Sequence, residues 1–194
     1  QLAAIVETSD DAIISYDPNG TMLSWNAAAQ KLLGYAATEI IGRNVSVLAP
    51  PVRMHESQHS AWLLQHGKPV PPFESERVTK DGREVQVQVS TSAIRDAAGN
   101  VVRIAAILRD VTERKQAEAA RAWLAAIVEN SNDAIFTRAL DGTILTWNAG
   151  AERMLGYTAA EAIGKPISFT LPPGRKPNLA HNNKKVLRGE AVVP

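Results

Sequence analysis

The stretch TMLSWNAAAQKLLGY at residues 21–35 returns as TILTWNAGAERMLGY at residues 143–157. At the same offset, LAAIVETSDDAI at residues 2–13 returns as LAAIVENSNDAI at residues 124–135, and about 32 positions are identical in all. Self-similarity at a fixed offset indicates a duplicated structural unit. We therefore interpret the chain as two copies of one unit. The second copy ends early, at Pro194, and we expect the natural protein to continue beyond it.

The part of the unit that only the first copy contains has the pattern of a sheet. In REVQVQVS at residues 83–90, three valines alternate with two glutamines, which predicts a strand with one buried and one wet face. Turn sequences separate it from FESERVTK at residues 73–80 and VVRIAAILRD at residues 101–110. The sequence thus predicts three consecutive antiparallel strands here.

The beginning of the unit predicts two further strands and then helices. AIISYD at residues 12–17 and TMLSW at residues 21–25 are short apolar stretches joined through the turn sequence DPNG. Asn26 can cap the helix that follows, Gly34 can end it, and a longer helix is expected at residues 53–65. This order predicts an α+β fold, a five-stranded antiparallel sheet with helices on one face and a small pocket between the layers.

Three motifs carry a resemblance to a known family. They are WNAAAQKLLGY at residues 25–35, KDGREVQVQVS at residues 80–90 and ILRDVTERK at residues 107–115. In this order, and with the duplication, they resemble the PAS sensory domains. The resemblance implies a PAS-like fold in two tandem copies, a ligand pocket, and dimerisation through flanking helices. It also implies linkage to an output domain such as a histidine kinase or a diguanylate cyclase.

The segment between the two copies is predicted to be one continuous helix. Residues 112–130 contain neither glycine nor proline, and apolar residues recur along them at spacings of three and four. Such a stripe can pair with a second copy of itself in a homodimer and relay a signal, or it can pack back on its own domain. The predicted relay residues of the stripe are Ala117, Ala120, Leu124 and Ile127.

Asp110 and Thr112 stand where the last strand meets this helix, and their side chains can cap its first turn. We also assign them to the predicted relay. The predicted domain boundaries follow: residues 1–111 form the first PAS domain, and residues 112–130 form a connecting helix that overlaps the start of the second copy. Residues 131–194 are the N-terminal portion of the second domain.

The sequence does not name a cofactor. The chain has no cysteine, which excludes a flavin–cysteine adduct and a thioether-linked chromophore. Haem-binding relatives ligate iron through a histidine on the long helix, but the position that we align with it is Ser57, which disfavours haem. His55 and His59 share one helical face, and solvated or core positions explain them better than a metal site. His59 recurs as His181 in the second copy.

Flavin adenine dinucleotide can bind without a covalent bond, and a tryptophan can stack on its ring. Candidate contacts for such a cofactor are Trp25, its neighbour Asn26, and His59, with Trp147 as the counterpart of Trp25. A structural role in the core is the alternative for Trp25. The resemblance therefore leaves FAD and haem as unsupported options, and the ligand stays unknown.

The composition of the chain limits the classes of binding partner that we expect. The net charge is +1, from 21 basic and 20 acidic residues, so no global field attracts nucleic acid or an anionic membrane. No apolar run is long enough to span a bilayer, and no signal peptide precedes the first predicted helix, so we expect a cytoplasmic protein. Glu74 and Glu76 are interpreted as a solvated ladder beside Arg77. A basic cluster is interpreted as a wet helix face; it comprises Arg175, Lys176, Lys184, Lys185 and Arg188.

No catalytic motif occurs in the sequence: it contains no phosphate-binding glycine loop, no HExxH and no GxSxG. We predict a regulatory module without catalytic machinery, which binds a small molecule or redox cofactor and relays the change through residues 112–130. The alternative is a structural spacer and dimerisation module whose pockets are filled by its own side chains.

Overall fold

The computed structural model describes residues 6–172 and residues 183, 184, 187 and 188. The chain divides into two compact units, Gln1–Ala117 and Glu118–Pro194, and the boundary falls inside the connecting helix. Within the described ranges, no helix is both long and apolar enough to cross a membrane.

The first unit has the predicted order of two strands, a group of helices and three strands. Asn26 begins the first helix as predicted, because its side chain accepts a hydrogen bond from the amide of Ala29 at 2.9 Å. The strands are β1 (Ala12–Tyr16), β2 (Met22–Trp25), β3 (Phe73–Val78), β4 (Glu84–Arg95) and β5 (Val101–Asp110). The α-helices are α1 (Ala27–Leu33), α2 (Ala37–Ile40) and α3 (His55–Gln65), with 3-10 turns at Val45–Leu48 and Pro51–Arg53.

All five strands form one antiparallel sheet in the order β2-β1-β5-β4-β3. The predicted α+β fold with a five-stranded antiparallel sheet is therefore confirmed. The alternation in β4 also holds, because Val85, Val87 and Val89 are buried whereas the glutamines between them are half-buried. Together with Ile14, Leu33 and other apolar residues, these valines form the core between the sheet and the helices.

The turn between β1 and β2 forms at the predicted residues. The amide of Gly20 donates to the carbonyl oxygen of Asp17 at 2.9 Å, and Gly20 has a φ of 92°, which residues with a side chain rarely adopt. The carboxylate of Asp17 also accepts a hydrogen bond from the amide of Thr21 at 2.8 Å. Local turn chemistry thus fixes how β2 returns along β1.

The connecting segment is one continuous helix, α4 (Thr112–Asn130), as predicted. None of its residues is buried. Four apolar side chains on its C-terminal half are exposed, with exposed fractions of 66% for Trp123, 56% for Leu124, 47% for Ile127 and 39% for Val128. These four side chains are therefore exposed in the described part of the chain.

The second unit repeats the start of the first on a smaller scale. Its two strands, β6 (Phe136–Arg138) and β7 (Ile144–Trp147), form a two-stranded antiparallel sheet. Two helices follow, α5 (Ala149–Leu155) and α6 (Ala159–Ala162), with a 3-10 turn at Ile167–Thr170. Its core is small and comprises the buried residues Ile144, Trp147, Ala151 and Ala162.

Candidate functional site

A cavity of about 20 Å³ lies in the first unit, between the sheet and the helices. A volume of that size holds roughly one water molecule. Most of its lining is apolar, but five polar side chains also reach it, namely Tyr16, Ser57, Ser60, Arg77 and Thr91. The predicted pocket therefore exists, and in this conformation the protein's own side chains nearly fill it.

Among the described residues that line this cavity, Arg77 is the only charged one. It lies on β3, where Ser75 and Arg77 face inward and alternate with Glu74 and Glu76, and only 8% of its surface is exposed. Its Nη1 donates to the Oε2 of Glu56 at 3.1 Å and to the Oγ of Ser75 at 2.6 Å. Burial lowers the pKa of Arg77 from its ordinary value, and the hydrogen bond to Glu56 opposes that effect.

Glu56, in the first turn of α3, is the counterion of Arg77. Its carboxylate also accepts a hydrogen bond from the Nη1 of Arg53 at 3.1 Å and one from the Oγ of Ser75 at 2.5 Å. Desolvation acts to raise the pKa of Glu56, but the bonds from Ser75, Arg53 and Arg77 outweigh it, so the pKa lies below its ordinary value. Glu56 is thus an anion held by two arginines.

Two further groups make the inner face of the cavity polar. The Oγ1 of Thr91 is buried and has no hydrogen-bond partner among the described residues. Burial raises the pKa of Tyr16 to about 12, so its phenol is neutral at physiological pH. A buried hydroxyl without a partner costs free energy, and a bound polar group would recover that cost.

An apolar groove of about 370 Å³ runs along the outer side of α3. The residues that line it include His55, Glu56, His59 and the segment Val70–Phe73. Ser60 and Phe73 line both the groove and the cavity. Glu56, which is the ion partner of Arg77, lines the groove as well.

The predicted cofactor contacts do not come together around the cavity. The indole of Trp25 is in the core, 6% exposed, and its Nε1 donates to the carbonyl oxygen of Tyr35 at 2.9 Å. The side chain of Asn26 holds the backbone together. Its Oδ1 accepts hydrogen bonds from the amides of Ile13 and Ala29, and its Nδ2 donates to the carbonyl oxygens of Val6 and Asp11. His59 lines the outer groove instead. Cofactor binding by these three residues stays a prediction.

Haem and flavin do not fit the cavity as it stands. Ser57, the position that we align with the haem ligand, does line the cavity, but serine does not ligate haem iron and the volume is far below that of either cofactor. His55 and His59 line the groove, and no group of three metal-ligating side chains occurs among the described residues. His181 and the basic residues Arg175, Lys176 and Lys185 lie outside the described residues, whereas Lys184 and Arg188 are within them.

The predicted relay residues begin at the edge of the sheet. The carboxylate of Asp110 accepts a hydrogen bond from the amide of Thr112 at 2.8 Å, so Asp110 caps α4 as expected. Thr112 does not use its hydroxyl as a cap. Its Oγ1 instead accepts a hydrogen bond from the amide of Gln86 at 3.1 Å, because β5 ends at Asp110 and leaves that amide without a strand partner. The other relay residues, Ala117, Ala120, Leu124 and Ile127, are exposed along α4.

A chain of polar contacts, which sequence reasoning missed, connects the cavity with the start of α4. Arg53 bonds Glu56 and also donates from its Nε to Glu76 at 3.0 Å. Glu76 accepts a bond from the side chain of Gln86 at 3.2 Å, and the backbone of Gln86 bonds Val111 and Thr112. Glu74 is exposed and Glu76 is half-buried, as expected for the solvated ladder, and the ladder is also ion-paired, since Glu74 pairs with Arg114 and Lys115 of α4.

Comparison with known proteins agrees with this architecture. A family model described as "PAS fold" matches residues 1–111 and 123–181. A solved PAS domain of a protein from Colwellia psychrerythraea has a TM-score of 0.55 at 24% identity, covering 58% of this chain and 96% of that one. A solved structure described as an RNA-binding light-oxygen-voltage receptor has a TM-score of 0.54 at 27% identity, covering 64% of this chain and 36% of that one.

Among curated proteins, phytochrome 1 of Selaginella martensii is 28% identical over 182 residues, which cover 86% of this chain and 16% of that protein. Two-component system protein A of Emericella nidulans is 36% identical over 133 residues, covering 66% of this chain and 18% of that protein. A third relative is the signal transduction histidine-protein kinase AtoS of Escherichia coli, at 27% identity. The chain spans less than a fifth of the length of these relatives.

Proposed function

The chain belongs to the PAS family, whose domains are non-catalytic sensory modules, and on that premise we propose that its first unit binds a small ligand in the cavity. Binding would then alter the sheet and, through α4, an output domain. The observation that carries this proposal is the bond between Gln86 and Thr112. It attaches the first residue of α4 to β4, on which Val87 and Val89 are buried in the core and Val89 lines the cavity.

The region after α4 acts in this proposal as a second PAS copy. The second stretch of the family match and the repeated strand and cap sequences support this assignment. The first domain then comprises residues 1–111, and residues 112–130 form the helix that connects it to the second. Residues 131–194 are the N-terminal portion of the second domain. The tandem arrangement would place α4 between two sensory units.

The apolar stripe of α4 is proposed to mediate a homodimer. Leu124 and Ile127 each keep about half of their surface exposed, at 56% and 47%, and Ala117 and Ala120 continue the stripe toward the sheet. Exposed apolar side chains at spacings of three and four favour pairing with a second helix. A paired α4 would carry a change in the sheet to both subunits.

The output is proposed to be a histidine kinase in a two-component pathway in the cytoplasm. The proposal follows from the printed names of the Emericella nidulans and Escherichia coli relatives, a two-component system protein and a histidine-protein kinase. A diguanylate cyclase, which the sequence resemblance also implied, stays a prediction without such support.

The test uses this 194-residue chain. Metabolites are screened for compounds that raise the melting temperature, and an absorption spectrum detects any co-purified chromophore. For each compound that raises the melting temperature, hydrogen exchange is then measured with and without that ligand. We expect ligand to change the exchange of the amides at residues 112–117, and Thr112→Val to abolish that change while ligand still binds. The matched control is Thr146→Val in the second unit. A saturating ligand that leaves residues 112–117 unchanged would contradict the relay.

A second candidate is a ligand-free spacer and dimerisation module. The observation that favours it is the cavity volume of about 20 Å³, which the first unit's own side chains leave. On this reading no compound raises the melting temperature, the purified chain absorbs no visible light, and α4 still dimerises. The same screen therefore separates the two functions.

A further inference from the structure

We propose that the cavity of the first unit takes a small organic carboxylate, which binds Arg77 in place of the carboxylate of Glu56. This inference rests on the proposed sensory function and names its class of ligand. Glu56 would then be an internal competitor, which holds the site closed until an acid of the right size displaces it.

The hydrogen bonds of Arg77 support an anion that approaches from the cavity side. All three bonds of its guanidinium leave from Nη1, to Glu56, to Ser75 and to the carbonyl oxygen of Glu76. Among the described residues Nη2 has no hydrogen-bond partner, so a carboxylate that replaces Glu56 at Nη1 can also bond Nη2. A guanidinium presents its donors as a planar fork that matches the two oxygens of a carboxylate.

The neutral polar groups of the lining suit the rest of such a ligand. The unpartnered Oγ1 of Thr91 and the hydroxyls of Ser57 and Ser60 can bond a second polar group. Around them, Ile14, Val89 and Leu108 offer an apolar wall to a short hydrocarbon chain. A small acid with one further polar substituent matches this arrangement.

Space and access explain why Glu56 has to move. The cavity of about 20 Å³ is too small for an organic acid, whereas the neighbouring groove of about 370 Å³ is lined by Glu56 itself. The side chain of Glu56 can turn into that groove, because it lines the groove and is already 15% exposed. Ser60 and Phe73, which line both spaces, mark the route of entry.

Displacement of Glu56 would also reach α4. Arg53, which holds Glu56 and Glu76 together, would lose one of its two carboxylates. Glu76 bonds the side chain of Gln86, whose backbone holds Thr112. The ligand would thereby act on the contact that joins the sheet to the helix.

The experiment measures binding of sodium acetate, propionate and succinate to the whole 194-residue chain by calorimetry, against sodium chloride at equal ionic strength. Glu56→Gln removes the competitor and is expected to bind at least one of these acids about tenfold more tightly than the unmodified chain. Glu39→Gln, which changes an exposed glutamate, is the matched control and is expected to bind as the unmodified chain does.

Arg77→Gln is expected to lose binding by about a hundredfold or more. Because this variant removes one of the two arginines that hold Glu56, the double variant Glu56→Gln with Arg77→Gln is measured beside it and is expected to fold without binding. Glu56→Gln that binds no tighter than Glu39→Gln, or carboxylate binding that survives the loss of Arg77, overturns the inference. If carboxylates fail while another metabolite raises the melting temperature, the sensory function stands and only the ligand class is wrong.

Discussion

The two units begin in the same way and end differently. In the first, the Nε1 of Trp25 donates to the carbonyl oxygen of Tyr35 at 2.9 Å, and in the second Trp147 makes the same bond to Tyr157 at the same distance. Asn148 repeats every bond type of Asn26: it accepts from two backbone amides and donates to two carbonyl oxygens. The strand, cap and helix therefore form in both units.

The units differ in what covers these elements. Ile14 on β1 is 2% exposed because β5 pairs beside it and the helices cover its face, whereas its counterpart Phe136 is 36% exposed. Leu23 and its counterpart Leu145 differ in the same direction, at 37% and 55%. Local sequence thus builds the strand–cap–helix segment, but burial depends on strands that the second unit lacks in the described part of the chain.

The largest expected effect is at the two asparagines. Asn26→Ala removes four hydrogen bonds from a side chain that is 2% exposed, and we expect the first unit to lose about 3 kcal/mol of unfolding free energy. Asn148→Ala should cost less, about 2 kcal/mol. Asn148 is also 2% exposed, but its partner residue Ile135 is 37% exposed whereas Ile13 is half-buried, so water can reach the freed amide in the second unit. Hydrogen exchange at the equivalent amides of Met22 and Ile144, which donate to backbone carbonyl oxygens and not to the asparagines, reports each unit separately. Equal losses would contradict the idea that coverage sets the cost.

Gly150 is expected to give the next largest effect. A Cβ at this position would lie 2.1 Å from the carbonyl oxygen of Asp133, so Gly150→Ala forces the backbone to shift and should cost the second unit about 2 kcal/mol. Its counterpart in the first unit is Ala28, where Ala28→Gly should cost about 1 kcal/mol or less through helix propensity alone. Urea unfolding followed by exchange in each unit measures both. If Gly150→Ala costs nothing, the close approach of the Asp133 carbonyl oxygen to this position is contradicted.

Acid should lower the stability of the first unit more than that of the second. The pKa of Glu56 is lowered in the folded state, so its contribution to stability is present above the unfolded value near 4.5 and is lost as the pH falls below it. In the second unit the lowered pKa values belong to Asp141 and Glu161, which are on the surface. Between pH 6 and pH 3, the melting temperature of the first unit should fall more steeply with decreasing pH than that of the second. Glu56→Gln should make the fall for the first unit less steep. An unchanged slope in Glu56→Gln would contradict this assignment.

The smallest expected effect concerns a surface contact. Glu39 and its counterpart Glu161 each accept a hydrogen bond from the backbone amide at the start of their helix, at 2.9 Å. Glu39 also pairs with Lys80, an exposed contact. Lys80→Ala should change the stability of the first unit by less than about 0.5 kcal/mol. A larger change in chemical denaturation would mean that this pair does more than a surface ion pair does.

Much of the fold was predictable because its signals are local. The turn at Asp17–Gly20, the cap at Asn26 and the alternation in β4 each depend on residues within a few positions of one another. The same locality explains why α4 could be predicted as one helix. The hydroxyl of Thr112 was misjudged, because its partner Gln86 lies 26 positions away, on another strand.

The candidate site was less accessible to sequence reasoning. A signal for Arg77 was available: once Glu74 and Glu76 are assigned to the wet face of β3, the residues between and beyond them must face inward. No local pattern joins Arg77 to Glu56, however, because 21 positions and a change from helix to strand separate them. The volume of the cavity depends on how side chains pack, which composition and periodicity do not encode.

Because α4 runs without a break from Thr112 to Asn130, it spans about 28 Å. It therefore fixes both the distance between its two ends and the rotation of one end relative to the other about the helix axis. One residue inserted near its middle would turn its C-terminal end by about 100° and advance it by about 1.5 Å. Seven inserted residues would bring that end back to within about 20° of its original direction. Linkers of this kind are therefore interchangeable in rotational phase when they differ by seven residues, and not when they differ by one or two.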